Sequence, residues 1–231
     1  MVRATVEYGC SISMTRPDPL DPNFTTAKHM SINTTSSPST VLTRLRTETR
    51  PEHDAIEAVL DFTSETLKIS DYRHTLERFH GFYLPLEAGL VKMGGWAQRG
   101  LDLTDRQKTH LLETDLRVLG VNNPEMLAVC TDLPPHGTVN AAFGCLYVLE
   151  GATLGGQVIT KSIHKHLGVT PETGGRFFNG YAERTGMMWQ AFRAAITASV
   201  PSPSDEDEVV AAAKATFSKL HHWIRANGGN Q

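Results

Sequence analysis

The chain has 231 residues, 40% of them hydrophobic and 20% charged, with a formal net charge of -3; that supports one good-sized core and gives no bulk attraction for nucleic acid. Its three cysteines, Cys10, Cys130 and Cys145, stand at wide spacings that match neither a disulfide framework nor paired zinc knuckles. With no signal-peptide pattern and no apolar run near the roughly 18 residues of a membrane span, a soluble protein of the reducing cytoplasm is expected.

Residues 1–40 carry Pro17, Pro19, Pro22 and Pro38 among Ser, Thr and Asn, too little apolar content to offset the entropy of ordering, and are expected to be disordered. Met30, or Met14, is the expected natural start. From Val41 the apolar residues recur at three and four, and strand-type alternation is scarce, which is an all-α pattern. The periodicity predicts helices over 41–62, 70–92 with an interruption at Pro85, 104–119, a short piece at 124–130, 138–167, 184–199 and 204–226. Thr104-Asp105 and Ser204, followed by Asp205, Glu206 and Asp207, are the expected N-terminal signals. The turn at 133–137 is too short for a linker, so residues 41–231 are read as one domain.

In the first helix, His53 shares a face with Ile56, Glu57 and Leu60. A metal-ligating imidazole works best neutral, with its second nitrogen donating to an acceptor, and Glu57 lies one turn away. A satisfied core histidine, or a simple helix ion pair, explains the same spacing. Arg46 and Arg50 fall near this face and suit anionic carboxylates at a pocket rim, or form a plain solvated patch. Pro51 requires a kink here or a helix start near Thr49.

Farther on, Glu77-Arg78-Phe79-His80 has the spacing of a di-iron motif, but no second copy exists, and an amphipathic face is preferred. The segment Leu146-Tyr147-Val148-Leu149-Glu150-Gly151-Ala152-Thr153-Leu154-Gly155-Gly156-Gln157-Val158-Ile159 then places Gly151, Gly155 and Gly156 inside a periodic helix, each costing roughly 1 kcal/mol relative to alanine. Close helix packing or approach of a flat ligand explains such a cluster; a phosphate loop does not fit. His164 and His166 point to different sides and His221 with His222 are adjacent, so no chelate is assigned, and no cysteine has a nucleophile motif.

His53-x-x-x-Glu57 combined with Gly151-Ala152-Thr153-Leu154-Gly155-Gly156-Gln157-Val158 resembles the heme oxygenase family. The wording Leu146 to Gly151, Phe177-Phe178-Asn179-Gly180-Tyr181 and Thr185-Gly186-Met187-Met188-Trp189 is similar to its bacterial, phytochrome-associated branch. The resemblance implies a single helical bundle with heme between a proximal helix and a kinked distal helix. It implies His53 as the iron ligand, Glu57 as its hydrogen-bond partner, and Gly151 and Gly155 lining the oxygen side. Arg46, Arg50 and Arg193 would meet the propionates, and Phe217 would pack on the pocket. The implied reaction opens heme to biliverdin, with release of carbon monoxide and ferrous iron, using molecular oxygen and an electron donor such as a ferredoxin or reductase. A bacteriophytochrome would be the acceptor of biliverdin. One departure stands out: family members carrying an acid just after the first distal glycine use it to organise proton delivery, and here that position is Ala152. A heme carrier or sensor without turnover is the alternative this leaves.

Overall fold

The computed structural model describes residues 41–62 and 64–226; the expectations for residues 1–40, including the starts at Met14 and Met30, lie outside them. Among the described residues eight α-helical segments are found: α1 (Val41–Glu48), α2 (Arg50–Val59), α3 (Ile69–Met93), α4 (Thr109–Val118), α5 (Val139–Leu167), α6 (Arg176–Asn179), α7 (Thr185–Ser199) and α8 (Pro203–Ala226). Short 3-10 turns fall between them, and no strand occurs among the described residues.

The helix expected over 41–62 is divided. Thr49 leaves α-geometry, its hydroxyl donates back to the Leu45 carbonyl at 2.7 Å, and Pro51 occupies the first turn of α2, where its missing N–H is no loss. Pro85 behaves in the opposite way, since α3 runs unbroken through it. A proline strands the carbonyl four residues back; here that carbonyl, on Gly81, accepts the Cys130 N–H at 2.8 Å. A bond from the 121–138 connection replaces the one the helix lost, and the expected interruption does not occur.

Helix starts also moved. Thr104-Asp105 opens a 3-10 turn, Thr104–Arg106, and α4 begins later because Glu87 of α3 supplies its cap, accepting the backbone N–H of Lys108 at 2.7 Å and of Thr109 at 3.1 Å. Ser202, not Ser204, serves α8, its Oγ accepting from the Asp205 N–H at 3.2 Å. At 124–130 only the 3-10 turn Pro124–Met126 is helical. The one-turn α6 was not anticipated; Asp115 of α4 holds it by accepting the Arg176 and Phe177 N–H groups at 3.0 and 2.8 Å.

The core is centred on α5, with α8 laid along it and α6 and α7 also packed on it. Gly144 permits the closest approach, since a Cβ there would collide with the Val209 carbonyl and with Ala212 and Ala213 of α8. Among the described residues α5 is the one helix long and apolar enough to cross a membrane, yet 56% of that apolar window is buried inside the protein. Packing in the core accounts for its composition. A ring cluster of Phe62, Tyr72, Phe79, Tyr83, Phe177 and Phe178 completes the interior.

Candidate functional site

His53 projects from the first half of α2 with its side chain 39% exposed. The exposure is one-sided: Nδ1 is buried and makes no hydrogen bond, which leaves the far side of the ring to solvent. Glu57 Oε1 and Asp54 Oδ1 each stand 3.8 Å from Nδ1, close enough for ion pairing and too far for a hydrogen bond. The expected Glu57 bond is thus not made in this conformation, and Asp54 is an equally near acceptor that the helical spacing did not single out. Behind His53 the ring of Phe217 on α8 stands edge-on at 5.8 Å between centroids, so two residues 164 positions apart in sequence are brought together.

The glycines of α5 divide by role. A Cβ on Gly156 would run into the Phe178 carbonyl of α6, whereas a Cβ on Gly151 or Gly155 would meet nothing within 4 Å. Helix packing therefore explains Gly144 and Gly156, and it does not explain Gly151 and Gly155, whose shared face is open. Val158, one turn on along that face, is 42% exposed, although it is a valine in the central helix. Both α2 and α5 lie against α8, and the two are not themselves a closely packed pair. A flat ligand needs such a bare surface and a half-exposed histidine with an unengaged buried nitrogen, and the residues present fit heme on both counts.

The three arginines are all exposed. Arg50 Nε pairs with Asp54 at 2.7 Å on α2, and Arg46 lies on α1. Arg193 lies one turn beyond Trp189 on α7; the Trp189 ring tilts against Tyr147 at 6.0 Å, and Tyr147 is one turn before Gly151. That ring contact places Trp189, one turn before Arg193, against α5. Ala152 is exposed, and being alanine it offers no acid at that position.

Sequence reasoning missed a buried charge cluster behind α5. Glu150, 1% exposed, accepts from Arg106 Nη1, from Lys108 Nζ at 2.8 Å and from the Tyr181 hydroxyl at 2.6 Å. A carboxylate directly after Leu146-Tyr147-Val148-Leu149 was the available signal, because an acid in an apolar stretch demands partners. Burial and the neighbouring Glu150 carboxylate keep the Tyr181 phenol protonated well above its ordinary range. A small cavity beside the cluster is lined by Leu90, Leu103, Leu146 and Leu149 with Glu87 and Arg106, and by none of the expected site residues.

The di-iron spacing has no metal-site character. Glu77 pairs with Arg73 at 3.6 Å, and His80 is fully buried with Nε2 3.7 Å from Glu113; burial lowers its pKa. Cys130 and Cys145 are free and buried, and burial pushes the Cys145 thiol up to about 11, so neither is an activated nucleophile.

The chain is thus an all-α bundle with a half-exposed histidine on α2 and a bare glycine face on its central helix. The family model described as heme oxygenase matches residues 39–226. A heme oxygenase of Xanthomonas campestris pv. campestris (strain 8004) is 31% identical over 162 residues, covering 67% of this chain and 89% of that protein. The fold is that of the NO- and CO-bound heme oxygenase from Neisseria meningitidis, with a TM-score of 0.70 at 24% identity over 83% of this chain and 94% of that one. A heme oxygenase from Leptospira interrogans superposes with a TM-score of 0.62 at 17% identity, over 81% and 99% of the two chains. The chain belongs to the heme oxygenase family, a family of heme-degrading enzymes.

Proposed function

We propose that this chain opens heme to biliverdin, releasing carbon monoxide and ferrous iron, with His53 as the protein's ligand to the heme iron. The observation that carries the reading is that one bundle holds both a half-exposed His53, whose buried Nδ1 makes no hydrogen bond, and an α5 face on which a Cβ at Gly151 or Gly155 would touch nothing. Heme is the substrate and supplies the iron at which dioxygen is activated.

The chain's own groups do the rest. His53 offers Nε2 to the ligand side, while a small rotation of the ring or of Glu57 closes the 3.8 Å gap at Nδ1 and fixes the tautomer. Gly151 and Gly155 leave space over the ligand for oxygen. Arg46, Arg50 and Arg193 are exposed cations suited to the two propionates, and Phe217 walls the pocket behind His53. Molecular oxygen, a ferredoxin or reductase as electron donor and a bacteriophytochrome as biliverdin acceptor are the partners of this reading, in the cytoplasm.

A second reading, a heme-binding carrier or sensor without turnover, draws on Ala152, which offers no carboxylate to organise proton delivery. The test is to load the purified protein with hemin, supply reductant in air with catalase present, and follow the Soret band with product chromatography, using His53→Ala as control. Loss of the Soret band to biliverdin establishes the enzyme. A persistent heme complex without biliverdin favours the carrier, and heme binding unchanged in His53→Ala overturns the site.

A further inference from the structure

The open face of α5 raises a mechanical problem. Gly151 and Gly155 have no neighbours on the ligand side, so before a ligand arrives nothing there restrains a stretch of helix that glycine makes easy to bend. Restraint has to come from behind.

Glu150 is the residue immediately before Gly151, and its buried carboxylate draws partners from separate parts of the chain. Arg106 comes from the 3-10 turn ahead of α4 and donates its other terminal nitrogen to the Met188 carbonyl of α7 at 3.1 Å. Lys108, 2% exposed, gives Nζ to Glu150, to the Arg106 carbonyl at 2.9 Å and to the Tyr181 hydroxyl at 3.0 Å. Tyr181 comes from the turn between α6 and α7. Glu87 of α3 secures the far end through the Lys108 and Thr109 backbone and the Thr109 hydroxyl at 2.7 Å. Both buried cations bond the one Glu150 carboxylate, while Glu87 is taken up by backbone and hydroxyl donors, so removing the Glu150 charge leaves Arg106 and Lys108 unpaired in a low-dielectric interior.

The placement is specific to the glycine segment. Glu150 anchors its start, where the Thr153 hydroxyl also bonds the Glu150 carbonyl at 2.6 Å, and Gly156 seated on the Phe178 carbonyl anchors its end. We propose that Glu150 is a positioning residue: gripped by Arg106, Lys108 and Tyr181, it holds the Gly151 and Gly155 face of α5 at the rotation and height the ligand site requires. This rests on the reading that heme lies over those glycines.

The test uses the full chain carrying Glu150→Gln, Glu150→Asp, or Glu150→Gln combined with Lys108→Met, which removes one of the two cations left without their carboxylate. In the ligand-free protein, amide hydrogen exchange across 151–158 is expected to quicken about tenfold or more in Glu150→Gln, while α3 and α8 stay protected. Glu150→Asp and the double variant are expected to recover part of that protection. In the heme-loaded protein, Glu150→Gln is expected to keep heme affinity within about threefold, since His53 lies on another helix, yet to lower turnover about tenfold with a mixture of ring-opened isomers. Exchange over 151–158 that is unchanged, or that quickens equally in every helix, overturns the proposal. If Glu150→Gln does not fold, the same comparison is decided by Glu150→Asp and the double variant. Heme binding that ignores His53→Ala defeats the site reading instead, and leaves the exchange result standing.

Discussion

His53 and Phe217 meet edge to face, their ring planes at 78°, and this one relationship couples the candidate iron ligand to the last helix. Phe217 is 8% exposed, and truncating a buried phenylalanine costs about 3 kcal/mol. Phe217→Ala is therefore expected to lower the melting temperature and to release heme about tenfold faster, because the His53 ring loses the wall that limits its rotation. Phe217→Leu is expected to restore most of the stability and only part of the heme retention. Thermal denaturation and transfer of heme to apomyoglobin measure the two effects separately; a Phe217→Ala protein with unchanged heme release would detach Phe217 from the site.

The two classes of glycine on α5 give opposite forecasts. Gly155→Ala meets no neighbour and gains helix propensity, so the ligand-free protein is expected to become more stable by about 0.5–1 kcal/mol while its heme affinity falls. Gly156→Ala drives a methyl into the Phe178 carbonyl and is expected to cost about 1–3 kcal/mol. Urea denaturation of the ligand-free variants decides the matter: destabilisation by Gly155→Ala would mean that this face is packed and not open.

The helical class and the extent of α5 were legible because each rests on periodicity, whereas Phe217 entered only through the family resemblance and its contact with His53 is a tertiary one. Tertiary partners decided the rest. Nothing around Pro85 announces that Cys130 will supply its missing bond, and nothing near Thr109 announces that Glu87 will cap α4. The three-glycine cluster could be read as packing or as ligand approach, and the structure assigns Gly156 to the first and leaves Gly151 and Gly155 open. Glu150 was visible as an acid in an apolar run, but its partners Arg106 and Tyr181 lie 44 and 31 residues away, beyond any local pattern.

Thiol chemistry offers a check on the interior. Cys145 is fully buried, its thiol held near 11 by burial, and Cys130 is buried with its thiol also raised. At pH 8 neither carries appreciable thiolate. Iodoacetamide treatment of the native protein followed by peptide mass spectrometry is expected to leave both unmodified, and both are expected to react in 6 M guanidinium. Rapid native labelling of Cys145 would show that the α5 and α8 contact opens readily.

Asp115 predicts an unusual pH dependence. Its carboxylate accepts two backbone N–H groups of α6, which favours the charged form, but burial outweighs them and pushes its pKa from 3.8 up to about 6. A carboxyl with a raised native pKa binds its proton more tightly folded than unfolded. Its contribution is thus fully present below about pH 4, declines as pH rises toward 6, and is constant above that. The loss across this window is of order 2–3 kcal/mol. Asp205 and Glu172 have lowered pKa values and slope the other way, but they are shared by wild type and Asp115→Asn, so they cancel in the difference. Urea denaturation of both proteins at pH 4 and pH 7 is expected to show the wild-type advantage over Asp115→Asn shrinking by that amount at the higher pH. A wild-type advantage that instead grows with pH would mean that the two N–H bonds to α6 prevail over desolvation and that Asp115 is an ordinary, stabilising carboxylate cap.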